Sequence, residues 1–358
     1  MAGVFSSSVA ASREAVELAA QVHDRSILTA PMKPLAYHVL RLLADGEFRS
    51  GTALAQAIGT SRASVWDSVQ DIEAAGLEVY RIRGRGYRLA QPVSMLDAGR
   101  LAQLLGETAP FNLEIVDEAA STNTVLLQRA QTGAPHASVI AAEWQRAGRG
   151  RMNRPWHAQI GGALTFSVLW RFSQGAATLA GLSLAVGLAV VRALESYGVT
   201  GAGLKWPNDV LWRGRKIAGI LIEMQGDALG PSVVVIGAGI NVRLSQAMDK
   251  HIDQPAADLE TICGHAADRN QLLAGLLGEF NTVLLEFERA GFQAFRDDWQ
   301  RRHVHQGCSV RLTLPGGVRE SGVARGVGDD GALLLETARG VRPFHSGDVS
   351  LRAAGRVS

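Results

Sequence analysis

A polar segment between two apolar runs constrains the fold of this chain more than any other feature. The apolar runs, Ala137 to Ala142 and Gly162 to Trp170, have the length and composition of buried strands. The segment between them, Glu143 to Trp156 (EWQRAGRGRMNRPW), carries two glycines and several arginines. Glycine lets the backbone approach a ligand closely, and arginine matches carboxylate and phosphate oxygens. The pattern favours a loop that encloses an anionic ligand, with a solvated basic loop or a nucleic-acid contact as alternatives.

Two later blocks narrow the interpretation. The first is LKWPNDV at residues 204 to 210, followed by RKIAGIL at 215 to 221, and the second is VVVIGAGIN at 233 to 241. Together with GRGRMNRPW at 148 to 156, these blocks resemble the biotin protein ligases in their order and spacing. Asn153 stands where the family usually has glycine. Because asparagine adopts the left-handed conformation more readily than other non-glycine residues, we expect the turn to be kept.

The resemblance implies an ATP-dependent ligase that uses Mg²⁺, forms biotinyl-5′-adenylate, and transfers biotin to a lysine of a biotin carboxyl carrier protein. Uncharged hydroxyl and amide groups suit the ureido ring of biotin. The catalytic residues it implies are Lys216, Arg151 and Arg149. The implied biotin-binding residues are Ser121, Thr122, Asn123, Gln145, Arg149, Gly150, Arg151, Lys216, Gly219, Gly237 and Gly239. The implied ATP-binding residues are Gly148, Arg149, Arg151, Arg154, Trp156, Lys205, Asn208, Asp209, Lys216 and Asn241. It implies no metal site fixed by the protein alone, with Mg²⁺ entering with ATP near Asp209.

The chain is expected to have an α+β fold with several domains. Residues 1–30 form an N-terminal extension to which no function is assigned, and residues 31–92 form a winged helix-turn-helix domain. Residues 93–303 form the catalytic domain, which the resemblance relates to the class II aminoacyl-tRNA synthetases, and residues 304–358 form an SH3-like β-barrel. Short strands divided by turn residues predict a mixed or antiparallel sheet with helices on one side. A P-loop motif is absent from the sequence.

The order helix, helix, tight turn, helix, hairpin between residues 33 and 90 is typical of a winged helix-turn-helix. Ser50 and Ser61 occupy helix-capping positions, and Gly59 ends the helix between them. The third helix of such a domain enters the DNA major groove, and a cationic wing contacts phosphates. The residues predicted to contact DNA are Ser61, Arg62, Ser64, Gln70, Arg83 and Arg85.

Other functions remain open at this point. Asp67, Asp71 and Glu73 would repel phosphate if they faced it, so one alternative is a ligase whose winged helix no longer binds DNA. A lipoate-type acyl ligase shares the catalytic fold. A DNA-binding regulator could also use an inactive ligase domain as a sensor, but the presence of Arg151 and Lys216 argues against this. The family resemblance further implies repression of biotin synthesis genes at an operator and a homodimer when adenylate is bound.

Composition excludes several classes of protein. The net charge of +2 is too small to indicate a nucleic-acid partner by itself. The two cysteines, Cys263 and Cys308, lack metal-ligand spacing and do not suggest a disulfide framework. The sequence contains no apolar run near the roughly 20 residues of a membrane span, so no membrane partner is expected. The first thirty residues lack the pattern of a secretory signal, and a cytoplasmic setting is expected.

Overall fold

The computed structural model describes residues 31–226, 230–245, 254–314, 318–345 and 350–353. The chain divides into two compact units between Val93 and Ser94. The extension predicted over residues 1–30 lies outside the described residues. The two units are described separately below.

The N-terminal unit contains three helices, α1 (Pro34–Leu43), α2 (Gly51–Ile58) and α3 (Arg62–Ala74), followed by an antiparallel hairpin of β1 (Val79–Ile82) and β2 (Gly86–Leu89). The Ser50 side chain accepts a hydrogen bond from the Ala53 amide at 3.1 Å and so caps α2. Gly59 ends α2 in the left-handed conformation at φ 71°. The apolar stripe of α3, formed by Val65, Val69 and Ile72, is fully buried. The predicted order of elements is therefore confirmed.

The second unit is built around a seven-stranded sheet with the spatial order β3-β4-β5-β9-β8-β7-β6. Only β3 and β4 pair in parallel among these neighbours, so the sheet is mixed, as the sequence predicts. The strands are β3 (Asn112–Ala119), β4 (Ser138–Gln145), β5 (Ala163–Phe172), β6 (Ala202–Lys205), β7 (Asp209–Trp212), β8 (Arg215–Gly226) and β9 (Ser232–Asn241).

Helices cover both faces of this sheet. On one face, α6 (Leu182–Ser196) and α8 (Arg269–Ala290) pack in the main core with α4 (Ala98–Leu105). On the other face, Leu126 of α5 (Thr122–Gln131) packs with Ile140, Leu169 and Val235. The prediction of helices on one side is therefore wrong. The central strands β4, β5 and β9 are buried along nearly their whole length, as expected of strands covered on two faces.

Two helices differ from what their apolar patterns indicate. The long apolar segment 179–197 has the pattern of one buried helix, but the helix begins only at Leu182, because a 3₁₀ turn (Ala176–Leu179) and Gly181 at φ 83° precede it. Leu101, Leu104 and Leu105 have the spacing of one apolar helical face, but Leu104 is 45% exposed, whereas Leu101 is fully buried. Helix α4 therefore contacts the core through Leu101 and the partly buried Leu105.

A buried ion pair fastens the start of the second unit to the sheet. Arg269, at the beginning of α8, pairs with Glu143 of β4, and both side chains are fully buried. Arg269 also donates to the Ser94 carbonyl at 2.6 Å, while Glu143 accepts from the Leu96 amide at 2.6 Å. These bonds satisfy the buried charges, as their removal from water requires. These contacts hold β4 in the buried sheet, just before the glycine- and arginine-rich loop at 146–156.

The C-terminal part of this unit is a five-stranded antiparallel sheet with the order β13-β12-β11-β10-β14. Its strands are β10 (Ser309–Thr313), β11 (Arg319–Val327), β12 (Leu333–Thr337), β13 (Gly340–Phe344) and β14 (Ser350–Ala353), and it follows α7 (Leu259–Cys263), α8, a 3₁₀ turn (Phe292–Phe295) and α9 (Arg296–Arg302). The sequence Asp329-Asp330-Gly331 is typical of a hairpin turn, and Asp330 accepts from the Ala332 amide at 3.0 Å. A second typical turn sequence, at 315–317, lies outside the described residues.

His303, at the end of α9, should make the unfolding of this unit sensitive to acid. Burial lowers the pKa of His303 to about 4, with smaller effects from Gln306 and His305. Below its ordinary pKa of 6.5, the unfolded chain takes up a proton that the folded chain accepts only near pH 4. The free energy of unfolding should therefore fall by about 3 kcal/mol as the pH drops from 6.5 to 4.

Urea unfolding measured at several pH values checks this prediction. His303→Phe keeps a ring against Trp299, whose ring centroid lies 4.6 Å away, but removes the titrating group. In this variant, the free energy of unfolding should fall less between pH 6.5 and pH 4 than it does in the wild type. Equal slopes for the variant and the wild type would contradict the assignment.

Candidate functional site

A cavity of about 590 Å³ opens over the glycine-rich part of the sheet, beneath the loop that follows β4. It brings together residues that lie far apart in the sequence. Gly148, also predicted, does not line the cavity; a Cβ there would meet the Trp156 carbonyl at 2.8 Å, so the close backbone approach requires glycine. The predicted residues that do line it are Ser121, Thr122, Asn123, Gln145, Arg149, Gly150, Arg151, Arg154, Trp156, Lys205, Asn208, Asp209, Lys216, Gly219, Gly237, Gly239 and Asn241.

The polar side chains that line one end of the cavity, Thr122, Asn123 and Gln145, are uncharged and belong to a buried network of hydrogen bonds. Gln145 Oε1 accepts from the Thr122 amide at 2.7 Å and from its hydroxyl at 3.0 Å. The Ser167 hydroxyl lies 2.6 Å from both Thr122 Oγ1 and Asn123 Oδ1. Asn123 Nδ2 donates to Glu223 at 2.8 Å. Because each partner is itself held, the Asn123 and Gln145 amides keep one orientation before any ligand arrives.

The floor of the cavity depends on glycines. A Cβ on Gly239 would lie 2.6 Å from the Trp156 ring, and one on Gly237 would lie 2.2 Å from Asn123 Oδ1. A Cβ on Gly219 would lie 3.0 Å from Lys216 Cε. Glycine at positions 237 and 239 leaves room for a flat ligand to approach the backbone of β9. In the structure the three glycines also make room for the side chains of Trp156, Asn123 and Lys216.

Gly237→Ala is expected to weaken ligand binding at the uncharged end. The new methyl group displaces Asn123, which breaks its bonds to Ser167 and Glu223. Loss of these buried hydrogen bonds should cost about 1–3 kcal/mol. By calorimetry, the affinity for biotin, the ligand that the sequence resemblance implies, should fall roughly 5- to 150-fold.

A matched glycine provides the control for this experiment. Gly275 is exposed on α8, and a Cβ there would meet no other atom within 4 Å. Gly275→Ala should keep biotin affinity and gain about 0.5–1 kcal/mol of stability from helix propensity. Equal biotin affinity in the two variants would refute the role given to Gly237.

The opposite end of the cavity is cationic. Lys216 Nζ lies 2.6 Å from Asp209 Oδ1, and Lys205 Nζ lies 3.7 Å from Asp209 Oδ2. Lys216 also lies 5.7 Å from the centre of the Trp156 ring. The Lys216 side chain is only 17% exposed, so its charge acts in a partly dehydrated setting where electrostatic interactions are stronger than in water. A lysine pair sharing one carboxylate leaves this end with a net positive charge.

The loop spans the cavity between these two ends. Gly150 N donates to the Arg154 carbonyl at 2.7 Å, and Met152 and Asn153 are left-handed at φ 57° and 54°. Asn153 therefore keeps the turn, as expected. Arg149 donates to Thr124 Oγ1 at 2.9 Å and lies 3.4 Å from Glu223, whereas Arg151 reaches Asn208 Oδ1 at 3.4 Å.

The sequence prediction missed several residues of the cavity, and four with polar side chains are described here. Ser167, Thr124 and Glu223 hold predicted residues in place, and His305 lines the cavity from the start of the C-terminal sheet. Thr124 is the one with a sequence signal, since it continues the Ser-Thr-Asn run at the start of α5. The others lie on strands or turns whose neighbours in space are distant along the chain.

The surface predicted to bind DNA lies on the N-terminal unit. Arg62, Arg83 and Arg85 are exposed, while the hydroxyls of Ser61 and Ser64 bond each other at 2.9 Å at the start of α3. With its amide oxygen turned toward Arg81, Gln70 accepts from that guanidinium. Two of the three acidic residues on α3 are paired, since Asp71 lies 3.3 Å from Lys33 and Glu73 binds Arg81.

Comparison with known proteins places these parts in one family. Residues 116–241 match the biotin/lipoate A/B protein ligase family, residues 305–352 match the biotin protein ligase C-terminal domain, and residues 36–88 match an HTH domain. The bifunctional ligase/repressor BirA of Salmonella typhimurium is 36% identical over 88% of this chain and 97% of that protein. The chain belongs to this family of biotin protein ligases.

Other relatives agree with this assignment. The bifunctional ligase/repressor BirA of Escherichia coli is 35% identical over 91% of this chain and 98% of that protein. A solved structure of the Aquifex aeolicus biotin protein ligase in complex with biotin and ATP has 30% identity and a TM-score of 0.60, covering 68% of this chain and 99% of that chain. The three-part α+β organisation is thus that of a biotin protein ligase with an N-terminal HTH domain.

Two features are absent from the described part of the chain. None of its helices is long and apolar enough to cross a bilayer. Its His, Cys, Asp and Glu side chains form no cluster of three or more that could hold a metal ion.

Proposed function

We propose that this chain activates biotin with ATP and transfers it to a lysine of a biotin carboxyl carrier protein, and that it also represses transcription at an operator. The observation that carries the enzymatic part is a single cavity with a fixed uncharged network at one end and a lysine pair at the other. Biotin has the matching polarity, because its ureido ring is neutral and its carboxylate is charged. The loop residues Arg149 and Arg151 lie over the path between these ends.

In the first half-reaction, a biotin carboxylate oxygen attacks the α-phosphorus of ATP. The bond to the β-phosphate oxygen breaks, and pyrophosphate leaves. Two anions must meet, so the barrier falls where fixed cations face the developing charge. Lys216 is the residue proposed to bridge the carboxylate and the α-phosphate, because it is anchored by Asp209 beside the Trp156 ring.

Mg²⁺ is proposed to enter with ATP rather than to occupy a protein site. Magnesium usually binds one or two carboxylates together with substrate phosphates and water. Asp209 supplies one carboxylate in the cavity, and its neighbour Asn208, which also lines the cavity, supplies an amide oxygen. These oxygen donors fit a magnesium ion that is bound to ATP. When bound, the ion would neutralise charge on the polyphosphate.

In the second half-reaction, the carrier's lysine amine attacks the carbonyl carbon of the adenylate, and AMP leaves. The attacking nucleophile comes from the carrier, so the enzyme's task is to keep water away until it arrives. Arg151, with its guanidinium near Asn208, is proposed to close the loop over the adenylate. Exclusion of water preserves the reactive anhydride for the amine.

The N-terminal unit is proposed to bind operator DNA through Ser61, Arg62, Ser64, Gln70, Arg83 and Arg85. Asp71 and Glu73 are paired with basic neighbours, so they repel DNA phosphate less than free carboxylates would. This weakens the case for the alternative, a ligase whose winged helix no longer binds DNA.

Ordering of the loop by adenylate is proposed to complete a homodimer surface. The boundaries at 30, 92 and 303 and the cytoplasmic setting remain predictions from the sequence.

Two measurements test the proposal together. Incubation with biotin, ATP and a biotin carrier domain should add biotin to one carrier lysine by mass spectrometry, and lipoate in place of biotin should give no product. A gel shift with operator DNA should strengthen when biotin and ATP are both present. Lipoate transfer without biotin transfer would favour the lipoate ligase alternative, and no shift would favour a ligase without repressor function.

A further inference from the structure

Glu223 lies on β8, on the face of the sheet that α5 covers. In the antiparallel pairing of β8 with β9, Glu223 lies opposite Val235, so the two side chains share one face. Val235 packs with Leu126 of α5. Glu223 therefore faces the helix whose first turn carries Thr122 and Asn123, and it is not one of the residues that line the cavity.

The two oxygens of the Glu223 carboxylate contact different parts of the site. Oε2 accepts from Asn123 Nδ2 at 2.8 Å, and Oε1 lies 3.4 Å from Nη2 of Arg149. The same Arg149 nitrogen donates to Thr124 Oγ1 at 2.9 Å. Asn123 and Arg149 both line the cavity, one at its uncharged end and one in the loop, so a single carboxylate outside the cavity contacts both.

The contact with Asn123 fixes which way its amide points. Nδ2 also donates to the Leu221 carbonyl at 3.2 Å, and the Ser167 hydroxyl lies 2.6 Å from Oδ1. A carbonyl and a carboxylate can only accept, so the amide nitrogen must face them. With both hydrogens of this nitrogen used, Asn123 can meet a ligand only as an acceptor, through Oδ1.

The contact with Arg149 has a separate effect, because it restrains the loop. An ion pair between partly exposed groups is usually weak, in part because two free side chains must be ordered together. Here the side chains of Glu223 and Arg149 are 27% and 36% exposed. Glu223 is already held by Asn123, and Arg149 is held by Thr124, so little additional ordering is required. The Arg149 guanidinium has further N–H donors for an anion in the cavity.

We infer that Glu223 is a positioning residue for the ligase reaction, which orients Asn123 for the biotin ring with one oxygen and holds Arg149 of the loop over the adenylate with the other. The inference rests on the proposed adenylate-forming function. It assigns Glu223 two effects that can be measured separately. The orientation of Asn123 should set the affinity for biotin, and the restraint of Arg149 should set how long the adenylate is retained.

Glu223→Gln separates the two effects. The glutamine oxygen can still accept from Asn123, but the amide nitrogen is a donor and cannot accept from Arg149. By calorimetry, the affinity for biotin should stay within about twofold of the wild-type value. Release of preformed biotinyl-5′-adenylate should become about 3- to 10-fold faster, as expected for the loss of one hydrogen bond. Thr124→Val removes the other acceptor of Arg149 and should give the same pattern.

Glu223→Ala removes both contacts, so it should also weaken biotin binding, by about 3- to 10-fold. Glu118→Gln is the matched control for the loss of a carboxylate. Glu118 pairs with Arg146 at the foot of the loop and does not line the cavity, so this variant should keep the wild-type biotin affinity and adenylate release.

A wild-type rate of adenylate release in Glu223→Gln, or a loss of biotin affinity as large as that of Glu223→Ala, would overturn the inference. Equally fast release in Glu118→Gln would also overturn it, because the loss of any carboxylate near the loop would then be sufficient. If Glu223→Ala fails to fold, Glu223→Gln and Thr124→Val decide, and a normal release rate in either overturns the inference. If the wild type forms no adenylate from biotin and ATP, the proposed function fails instead.

Discussion

Arg151→Gly is expected to turn a selective ligase into one that biotinylates bystander proteins. The Arg151 guanidinium donates to Asn208 Oδ1 at 3.4 Å, and both residues line the cavity, so the loop lies at the ligand site at this point. Loss of a charged hydrogen bond to the adenylate should cost about 1.5–3 kcal/mol, or roughly 10- to 100-fold faster release. Released adenylate acylates exposed lysines in solution. The measurement is the rate of adenylate release after one turnover, together with biotin incorporation into an added bystander protein.

Arg146 offers a matched control within the same segment. It pairs with Glu118 and does not line the cavity, so Arg146→Gly should keep labelling confined to the carrier. An Arg151→Gly variant that remains active and equally selective would show that the loop does not retain the adenylate through this side chain.

Lys216→Ala is expected to abolish most adenylate formation while the fold is retained. Removal of one preorganised cation from a partly dehydrated site typically costs about 10²- to 10³-fold in rate. Asp209 keeps Lys205 at 3.7 Å, so the carboxylate is not left without a counter-charge. Pyrophosphate release with biotin and ATP measures the loss, and thermal unfolding checks the fold.

The neighbouring Arg215 provides the comparison for Lys216. Its Nε donates to the Ala256 carbonyl at 2.7 Å, and the side chain does not line the cavity. Arg215→Ala should therefore release pyrophosphate at nearly the wild-type rate. If Lys216→Ala also released pyrophosphate at a near-normal rate, Lys216 would not bridge the carboxylate and the α-phosphate.

Features determined by near neighbours along the chain could be predicted from the sequence. Helix α2 begins after Ser50 and ends at Gly59 as expected, because a cap and a left-handed glycine each act within one helical turn. The turn at Asn153 followed from the conformational preference of that residue alone. The grouping of the cavity residues came from the family resemblance, since no local rule brings Asn123 next to Gly237.

Features that depend on distant contacts could not be predicted in this way. Glu223 holds Asn123 across 100 residues, and Arg269 pairs with Glu143 across 126 residues. Neither carboxylate carries a local signal of its partner. Helix α5 packs on the second face of the sheet. Strands buried on both faces lack the alternation of apolar and polar residues that would show which face a helix covers, so this position could not be predicted.

Native mass spectrometry of the purified protein after incubation with biotin and ATP tests the central claim most directly. If the arginine-bearing loop shields an activated biotin, the protein should carry one biotinyl-5′-adenylate and pyrophosphate should be in solution. Protein that carries only unreacted biotin or ATP, or that releases pyrophosphate yet retains no adenylate, would contradict the account.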